Sequence, residues 1–176
     1  IIVNMVDYLN DFPKCGYKIL KNVLSEPQIT FGRNCISENK LVNYHMVDDY
    51  IERVMFPIIN QNMNWEGCVY SKFRYSDNNN STDASVMHRD IICRHPKGDQ
   101  GYGVYPAFTC LSYLDKTVME VIPYSHLTPV MSFSEALNNW FSGETQKLHI
   151  NVGDLVVFNS MLLHRGIFTE NLPHRR

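Results

Sequence analysis

Hydrophobic and polar positions follow a helical period in the first third of the chain and a strand-like pattern in the remainder. Apolar residues recur every three or four positions between about residues 39 and 61, which predicts one amphipathic helix, kinked at Pro57. Before it, residues 17–22 form a predicted strand. Ser25, followed by Glu26 and Pro27, predicts the start of a further helix.

Short β-type segments dominate from Gly67 onward: residues 68–75, 86–92, 107–114, 118–123, 147–151 and 155–159. One helix is predicted among them, beginning at a capping box of Ser132 and Glu135 and ending at Gly143. Short strands at such intervals are typical of a sandwich or barrel and not of βαβ units. We therefore expect a small antiparallel double sheet with helices packed on one face.

Composition narrows the functional classes. The chain has 176 residues, 44% of them hydrophobic, and a formal net charge of −2. A chain of this length and apolar content predicts one folded domain, and the charge argues against a nucleic-acid partner. No apolar run approaches the ~20 residues of a membrane span, so we expect a soluble, cytoplasmic protein. The first residue is Ile1, with no signal-peptide pattern, which predicts that the native N-terminus lies upstream.

The five cysteines are odd in number and scattered, with no CxxC pair. This pattern argues against a disulfide framework and against a structural zinc site. We expect the cysteines to be reduced thiols that pack as small hydrophobic residues.

Three residues suggest a metal site. His88 and Asp90 are two apart on a predicted strand, so both side chains project to one face while Arg89 points away. His164 follows the apolar stretch that begins at Gly153. Two imidazoles and one carboxylate, with other positions open, form the facial triad of non-haem Fe(II) oxygenases. Near the C-terminus, Arg175 could form a bidentate pair with a dicarboxylic acid.

The sequence resembles the phytanoyl-CoA dioxygenase branch of the Fe(II)/2-oxoglutarate-dependent oxygenases. Four stretches carry the resemblance in family order: the Gly-Tyr-Lys-Ile-Leu-Lys-Asn-Val-Leu-Ser run ending at Ser25, His88-Arg-Asp90, Leu111-Ser-Tyr-Leu-Asp with Pro123-Tyr-Ser-His126, and Gly153-Asp-Leu-Val-Val-Phe with His164-Arg-Gly and Arg175. They span nearly the whole chain. Family glycines are replaced at Met119 or Glu120 and at Tyr124, where we expect the turns to differ.

The resemblance implies one oxygenase domain over residues 1–176. In it, an N-terminal strand and helices (residues 1–65) pack on a double-stranded β-helix, the jelly-roll or cupin-like sandwich of residues 66–176. It implies that His88, Asp90 and His164 bind Fe(II), that Arg175 binds the distal carboxylate of 2-oxoglutarate, and that O₂ is the oxidant. His126 is structural in the family motif.

Weaker candidates surround these residues. The resemblance suggests that Tyr75 contacts the cosubstrate, although an ordinary half-buried aromatic has the same pattern; Thr109 is a similar candidate. The cluster of Arg89, Arg94, His95 and Lys97 either guides an anionic substrate or is a solvated loop.

The function expected from these features is hydroxylation or desaturation of an unactivated C–H bond in a small organic substrate, with release of succinate and CO₂. Halogenation is disfavoured because it needs a small residue in place of Asp90. Two alternatives stay open. One is a cupin-like metalloenzyme without 2-oxoglutarate, in which His126 or His149 would complete the site; the other is a catalytically silent ligand-binding relative.

Overall fold

A computed structural model of the chain describes residues 12–36, 44–63, 86–90, 108–127 and 143–167. The helices in these ranges are α1 (Glu26–Asn34), α2 (Tyr44–Tyr50), a π-helical turn (Ile51–Met55), α3 (Phe56–Met63) and a short 3₁₀ helix (Ser125–Leu127). The strands are β1 (Tyr17–Leu20), β2 (Phe108–Ser112), β3 (Thr117–Ile122), β4 (Gln146–Ile150), β5 (Leu155–Asn159) and β6 (Leu163–Ile167).

The six strands form two three-stranded antiparallel sheets. One has the order β1-β5-β2, with Tyr17 opposite Phe158 and Phe108 opposite Asn159. The other has the order β4-β3-β6, with Val121 opposite His164. Mainly antiparallel sheets with a few helices are the architecture expected from the strand pattern, and that part of the prediction is confirmed.

Strand β5 separates two apolar layers. Leu155 and Val157 face one layer, which also holds the buried residues of the helices, and Val156 and Phe158 face the other, which lies with β3 and β4 residues. All four side chains are fully buried. Alternation along a strand explains why β5 reads as a continuous apolar run: each of its faces lies against a core.

The predicted long helix is divided by a π-helical turn. Val47, Ile51, Val54 and Ile58 are buried at intervals of three and four residues, as the periodicity predicted. The turn precedes Pro57, and the Phe56 N–H donates to the Ile51 carbonyl in the wider i→i−5 pattern. Proline has no N–H and its ring clashes with the carbonyl four residues back, so the chain relieves this crowding by widening one turn.

Two buried polar contacts fix the turns around the central strand. Both oxygens of Asp154 accept backbone N–H groups, one from Asn22 after β1 and one from Asn151 after β4. On the other side, the Arg33 guanidinium donates twice to the Leu114 carbonyl between β2 and β3. A buried carbonyl or carboxylate without a donor costs free energy, so these contacts hold the turns in register.

The strands predicted at residues 17–22, 107–114, 118–123, 147–151 and 155–159 are confirmed with bounds shifted by a few residues, and so is α1, whose capping box joins Ser25 to Gln28. The strand predicted at 86–92 differs, because residues 86–90 make one isolated bridge at His88 and no continuous ladder. The strand at 68–75 and the helix from Ser132 to Gly143 lie outside the described residues, apart from Gly143 itself.

Tyr124 occupies a position where the resembled family has glycine, and its φ of 66° is the left-handed conformation that glycine adopts most readily. The expected change of turn is therefore not seen in the backbone at this residue. Met119 and Glu120 lie inside β3 and pair with both neighbouring strands.

Within the described ranges, no helix has the length and apolar character needed to span a bilayer. Cys15, Cys35 and Cys110 carry reduced thiols.

Candidate metal centre

The two histidines of the predicted triad lie directly opposite each other. Each donates its backbone N–H to the other's carbonyl, His88 to His164 and His164 to His88, both at 3.0 Å. In such an antiparallel pair, the two side chains lie on the same side. Their ring centroids are 4.4 Å apart. The backbone pairing itself therefore brings both imidazoles to one place.

The structure also defines which ring nitrogen of each histidine is available. His88 Nδ1 lies 2.7 Å from the Val86 carbonyl oxygen, and His164 Nδ1 lies 2.9 Å from the Leu162 carbonyl oxygen. A carbonyl only accepts hydrogen bonds, so each Nδ1 carries the proton. In a neutral ring, the lone pair is then on Nε2. Both histidines thus present the nitrogen lone pair that a metal ion requires.

Asp90 completes the cluster. Its Oδ1 is 3.7 Å from His88 Nε2 and 3.7 Å from His164 Nε2. One ligand atom of each residue lies within 4.8 Å of the others. These separations are slightly wider than the ~3–3.5 Å expected of two atoms that bind one ion at about 2.1 Å. Small side-chain rotations would therefore allow all three residues to hold one divalent metal ion.

Two hydroxyl groups orient the Asp90 carboxylate. Thr109 Oγ1, on β2, donates to Asp90 Oδ2 at 2.6 Å, and it lies 3.0 Å from Ser160 Oγ, just after β5. The hydrogen bond occupies the carboxylate oxygen that faces away from the histidines and leaves Oδ1 toward them. Outer contacts of this kind fix the geometry of metal-binding carboxylates.

The cluster is deep on one side and open on the other. The His164 side chain is 8% exposed and its ring packs on Phe158, with centroids 4.5 Å apart. The side chains of His88 and Asp90 are 27% and 26% exposed. One candidate ligand thus packs against the apolar layer between the sheets, and the other two are partly exposed.

His164 lies within β6, a strand that the sequence pattern does not predict, because the last predicted strand ends at residue 159. The chain leaves β5 after Asn159, turns, and enters the other sheet at Leu163. The Asn159 side chain accepts the Met161 N–H at 2.9 Å in this turn. Residues with a polar side chain that bonds to the nearby backbone favour turns, which is the physical reason for the break.

Arg89 fits neither alternative given for the basic cluster, which were guidance of an anionic substrate and a solvated loop. Its side chain is half-buried and donates to the Met161 carbonyl, and burial lowers the pKa of the guanidinium. It therefore points away from the triad, as the strand alternation predicted, but into protein and not into solvent. Arg94, His95 and Lys97 lie outside the described residues.

His126 packs beside this arginine. The pKa of its imidazole is lowered by burial and, to a smaller extent, by the positive charge of Arg89. A Cβ atom at Gly16 would lie only 2.4 Å from His126 Nδ1, so the ring rests on the glycine backbone. The neighbouring Ser125 Oγ accepts the Leu163 N–H at 2.8 Å. His126 is thus separate from the three residues that form the cluster.

Arg175 and Tyr75, which the resemblance links to 2-oxoglutarate, lie outside the described residues. Thr109, a weaker candidate for cosubstrate contact, bonds to Asp90 instead. Sequence reasoning missed the contacts of both Ser160 and Ser125. Ser160 directly follows a predicted strand, and Ser125 lies in the Pro123-Tyr-Ser-His126 motif, but neither signal indicates which group the serine contacts.

No protein-family model matches this chain, and no curated protein sequence matches it either. Solved structures do match. The non-haem α-ketoglutarate-dependent carbocyclase SnoK from nogalamycin biosynthesis is 13% identical with a TM-score of 0.62, over 96% of this chain and 80% of SnoK. HygX from Streptomyces hygroscopicus with iron bound is 14% identical with a TM-score of 0.60, over 99% of this chain and 85% of HygX.

A third structure, the α-ketoglutarate-dependent epimerase SnoN, is 11% identical with a TM-score of 0.59, over 97% of this chain and 80% of SnoN. At these identities, the likeness concerns the fold. The chain therefore has the fold of non-haem 2-oxoglutarate-dependent enzymes. Within that fold, it carries a cluster of two histidines and one aspartate that can hold a metal ion.

Proposed function

We propose that this chain is an Fe(II)- and 2-oxoglutarate-dependent oxygenase that hydroxylates or desaturates an unactivated C–H bond of a small organic substrate, with release of succinate and CO₂. The observation that carries the proposal is the clustering of His88, His164 and Asp90, in which each histidine Nε2 lies 3.7 Å from Asp90 Oδ1. Two neutral nitrogens and one carboxylate oxygen, with the remaining positions open, are the ligand set that suits non-haem Fe(II).

Each residue of the cluster has a distinct role in this proposal. His88 and His164 would bind the metal through Nε2, because their Nδ1 atoms donate to backbone carbonyls. Asp90 would bind through Oδ1, while Thr109 holds Oδ2. When bound, iron and 2-oxoglutarate would supply the O₂-dependent oxidation; the protein supplies ligand geometry and orientation.

The binding of 2-oxoglutarate belongs to the same proposal. Arg175 would pair with its distal carboxylate through the planar fork of the guanidinium, and Tyr75 would contact the same molecule. The sequence resemblance supports both assignments. Structures of HygX with nickel, 2-oxoglutarate and hygromycin B, and of SnoN with Fe³⁺, α-ketoglutarate and nogalamycin RO, support this combination of ligands for the fold.

We further propose membership of the phytanoyl-CoA dioxygenase-like branch, with one domain over residues 1–176, a closed jelly roll over residues 66–176 and action inside the cell. The ordered motifs support the branch. The solved neighbours include an epimerase and a carbocyclase, so the outcome after C–H cleavage varies within the fold. The presence of Asp90 favours an oxygen-derived outcome over halogenation.

Anaerobic titration of the metal-free protein with Fe(II) and then 2-oxoglutarate tests the proposal. A weak visible charge-transfer band that requires both additions, and is absent in Asp90→Ala, is the expected result. Metal binding without any response to 2-oxoglutarate would favour the cupin-like alternative. The absence of metal binding in a folded protein would favour the silent ligand-binding relative.

Arg175→Lys tests the cosubstrate assignment. An unpaired buried carboxylate costs roughly 2–5 kcal/mol, so the KM for 2-oxoglutarate should rise at least about thirtyfold. Metal affinity without cosubstrate should barely change. Arg176→Ala is the matched control, because neighbouring residues on a strand face opposite sides. A large effect at Arg176 and none at Arg175 would contradict the assignment.

A further inference from the structure

Each residue of the segment 88–90, which carries two of the three candidate ligands, contacts another part of the described protein. His88 makes its two backbone hydrogen bonds with His164. Asp90 bonds through its side chain to Thr109. Between the two ligands, Arg89 extends from the opposite side of the backbone to the Met161 carbonyl.

Met161 belongs to the turn that delivers the third ligand. In this turn, the Leu162 N–H donates to the Asn159 carbonyl at 2.7 Å, and the Met161 N–H donates to the Asn159 side chain. Ser125 Oγ accepts the Leu163 N–H. The Leu162 carbonyl accepts the proton of His164 Nδ1 and so sets the orientation of that ring. The position of this turn therefore determines where His164 Nε2 points.

Arg89 is a costly residue to place here for any purely structural reason. Its side chain is half-buried and donates to a backbone carbonyl. A buried positive charge needs several acceptors to offset its loss of hydration, and an arginine bonds to more than one acceptor in a fixed geometry. A contact of this kind fixes the positions of both partners more narrowly than apolar packing does.

We infer that Arg89 is a positioning residue that ties the His88–Asp90 segment to the turn before His164 and so prearranges the three ligand atoms. The inference rests on the proposed function, because only a bound metal ion requires the three ligand atoms to be held in place. Arg89 contacts neither the metal nor the substrate in this scheme. It acts through the Met161 carbonyl on the Leu162 carbonyl, and through that on His164.

Binding of Co(II) to the metal-free protein, measured by calorimetry without 2-oxoglutarate, tests the inference. Arg89→Met keeps the length of the side chain and removes its donors. We expect its dissociation constant for Co(II) to rise about ten- to a hundredfold, the usual cost of losing an outer contact at a metal site. Arg89→Lys keeps one donor and the charge, so it should recover most of the affinity.

Arg33→Met is the matched control. Arg33 is also a partly buried arginine that donates to a backbone carbonyl, that of Leu114, but it lies on α1 next to the helical layer. Its loss should lower the melting temperature of the metal-free protein by a similar amount and leave the Co(II) dissociation constant within about twofold. Equal weakening by Arg33→Met and Arg89→Met would overturn the inference, and so would unchanged affinity in Arg89→Met.

Amide hydrogen exchange in the metal-free protein separates this inference from the proposed function. Arg89→Met should accelerate exchange at Leu162 and His164, and Arg33→Met should not. If the wild type binds no Co(II), the proposed function fails, and the exchange result still decides the positioning role. If Arg89→Met does not fold, Arg89→Gln replaces it; affinity equal to that of wild type in Arg89→Gln would then overturn the inference.

Discussion

The two faces of the sheet β1-β5-β2 pack against different layers, and only one of these layers contacts a candidate metal ligand. The face toward the helices packs against an aliphatic and aromatic layer that includes Val47, Ile51 and Val54. The face toward the other sheet packs against a second apolar layer, and this layer ends at His164, whose ring lies on Phe158. Successive residues of one strand thus face a purely structural core and a layer that supports the candidate metal site.

This division has an energetic consequence. Burial of large apolar side chains provides most of the stability of a domain of this kind, and it is spread over both layers. The candidate ligands His88 and Asp90 are polar, are about one quarter exposed and belong to neither apolar layer. Stability and metal binding should therefore respond to different substitutions, and the following predictions test how complete that separation is.

The largest effect should come from Asp90→Ala. Loss of a candidate ligand should abolish turnover and weaken metal binding by more than the roughly hundredfold typical of outer contacts. The melting temperature of the metal-free protein should hardly change, because the carboxylate is partly exposed. Succinate release and Co(II) calorimetry measure the first effect, and thermal denaturation measures the second. Asp49→Ala, at an exposed helical ion pair with Arg53, is the control. Normal succinate release from Asp90→Ala would rule out its role as a ligand.

Phe158→Ala and Leu155→Ala compare the two faces of β5 directly. Both side chains are fully buried. Their truncation should lower the free energy of unfolding by about 3–5 and 2–5 kcal/mol, respectively, in urea titrations. Only Phe158→Ala should also weaken Co(II) binding, because Phe158 packs on the His164 ring and Leu155 faces the other apolar layer. If Leu155→Ala weakened metal binding equally, the two faces would not be independent.

The parts of this design that rest on local pattern could be predicted from the sequence. The apolar run of β5, the start of α1 after Ser25 and the helical period around Val54 each depend on residues close together in the chain. The i, i+2 spacing of His88 and Asp90 also indicates a shared face. In each case, the physical cause lies within a few residues, so the pattern contains it.

The parts that rest on long-range pairing could not be predicted from local pattern alone. Nothing near His88 indicates that its backbone pairs with His164. The sequence predicted only that both residues bind the same metal ion. The contacts of Arg89 and Thr109 are equally invisible, because an arginine or threonine has no sequence signature for an outer contact at a metal site. Tertiary packing decides which of several compatible partners such residues meet.

Thr109→Val should weaken Co(II) binding less than Asp90→Ala does. It removes the hydrogen bond to Asp90 Oδ2 with little change of shape. We expect roughly tenfold weaker Co(II) binding, near the lower end for outer contacts. Thr109→Ser keeps the hydroxyl and should bind Co(II) almost as the wild type does. Identical affinity in Thr109→Val and Thr109→Ser would show that the hydroxyl has no part in orienting Asp90.

The two layers should also differ in the direction of their pH sensitivity. On the helical side, burial raises the pKa values of the Tyr50 hydroxyl and the Cys35 thiol. A buried group that is neutral when folded and has a raised pKa favours the folded state less as the pH rises. The contribution of these two groups to the free energy of unfolding should therefore fall only at alkaline pH. Beside the metal-binding end, burial and Arg89 lower the pKa of His126.

The smallest expected effect is the acid sensitivity that His126 confers. Because its pKa is lower in the folded state, the unfolded chain binds the proton more readily. Its stabilising contribution is therefore complete above about pH 6.5 and is lost as the pH falls below that value toward the folded-state pKa. Urea titrations of the metal-free protein from pH 7.5 to 5.5 should show a shallower loss of stability for His126→Gln than for the wild type. Tyr50→Phe, on the helical side, should keep the wild-type slope in this range. Equal slopes for the wild type and His126→Gln would assign the acid sensitivity to other groups, and the two layers would then not differ at this residue.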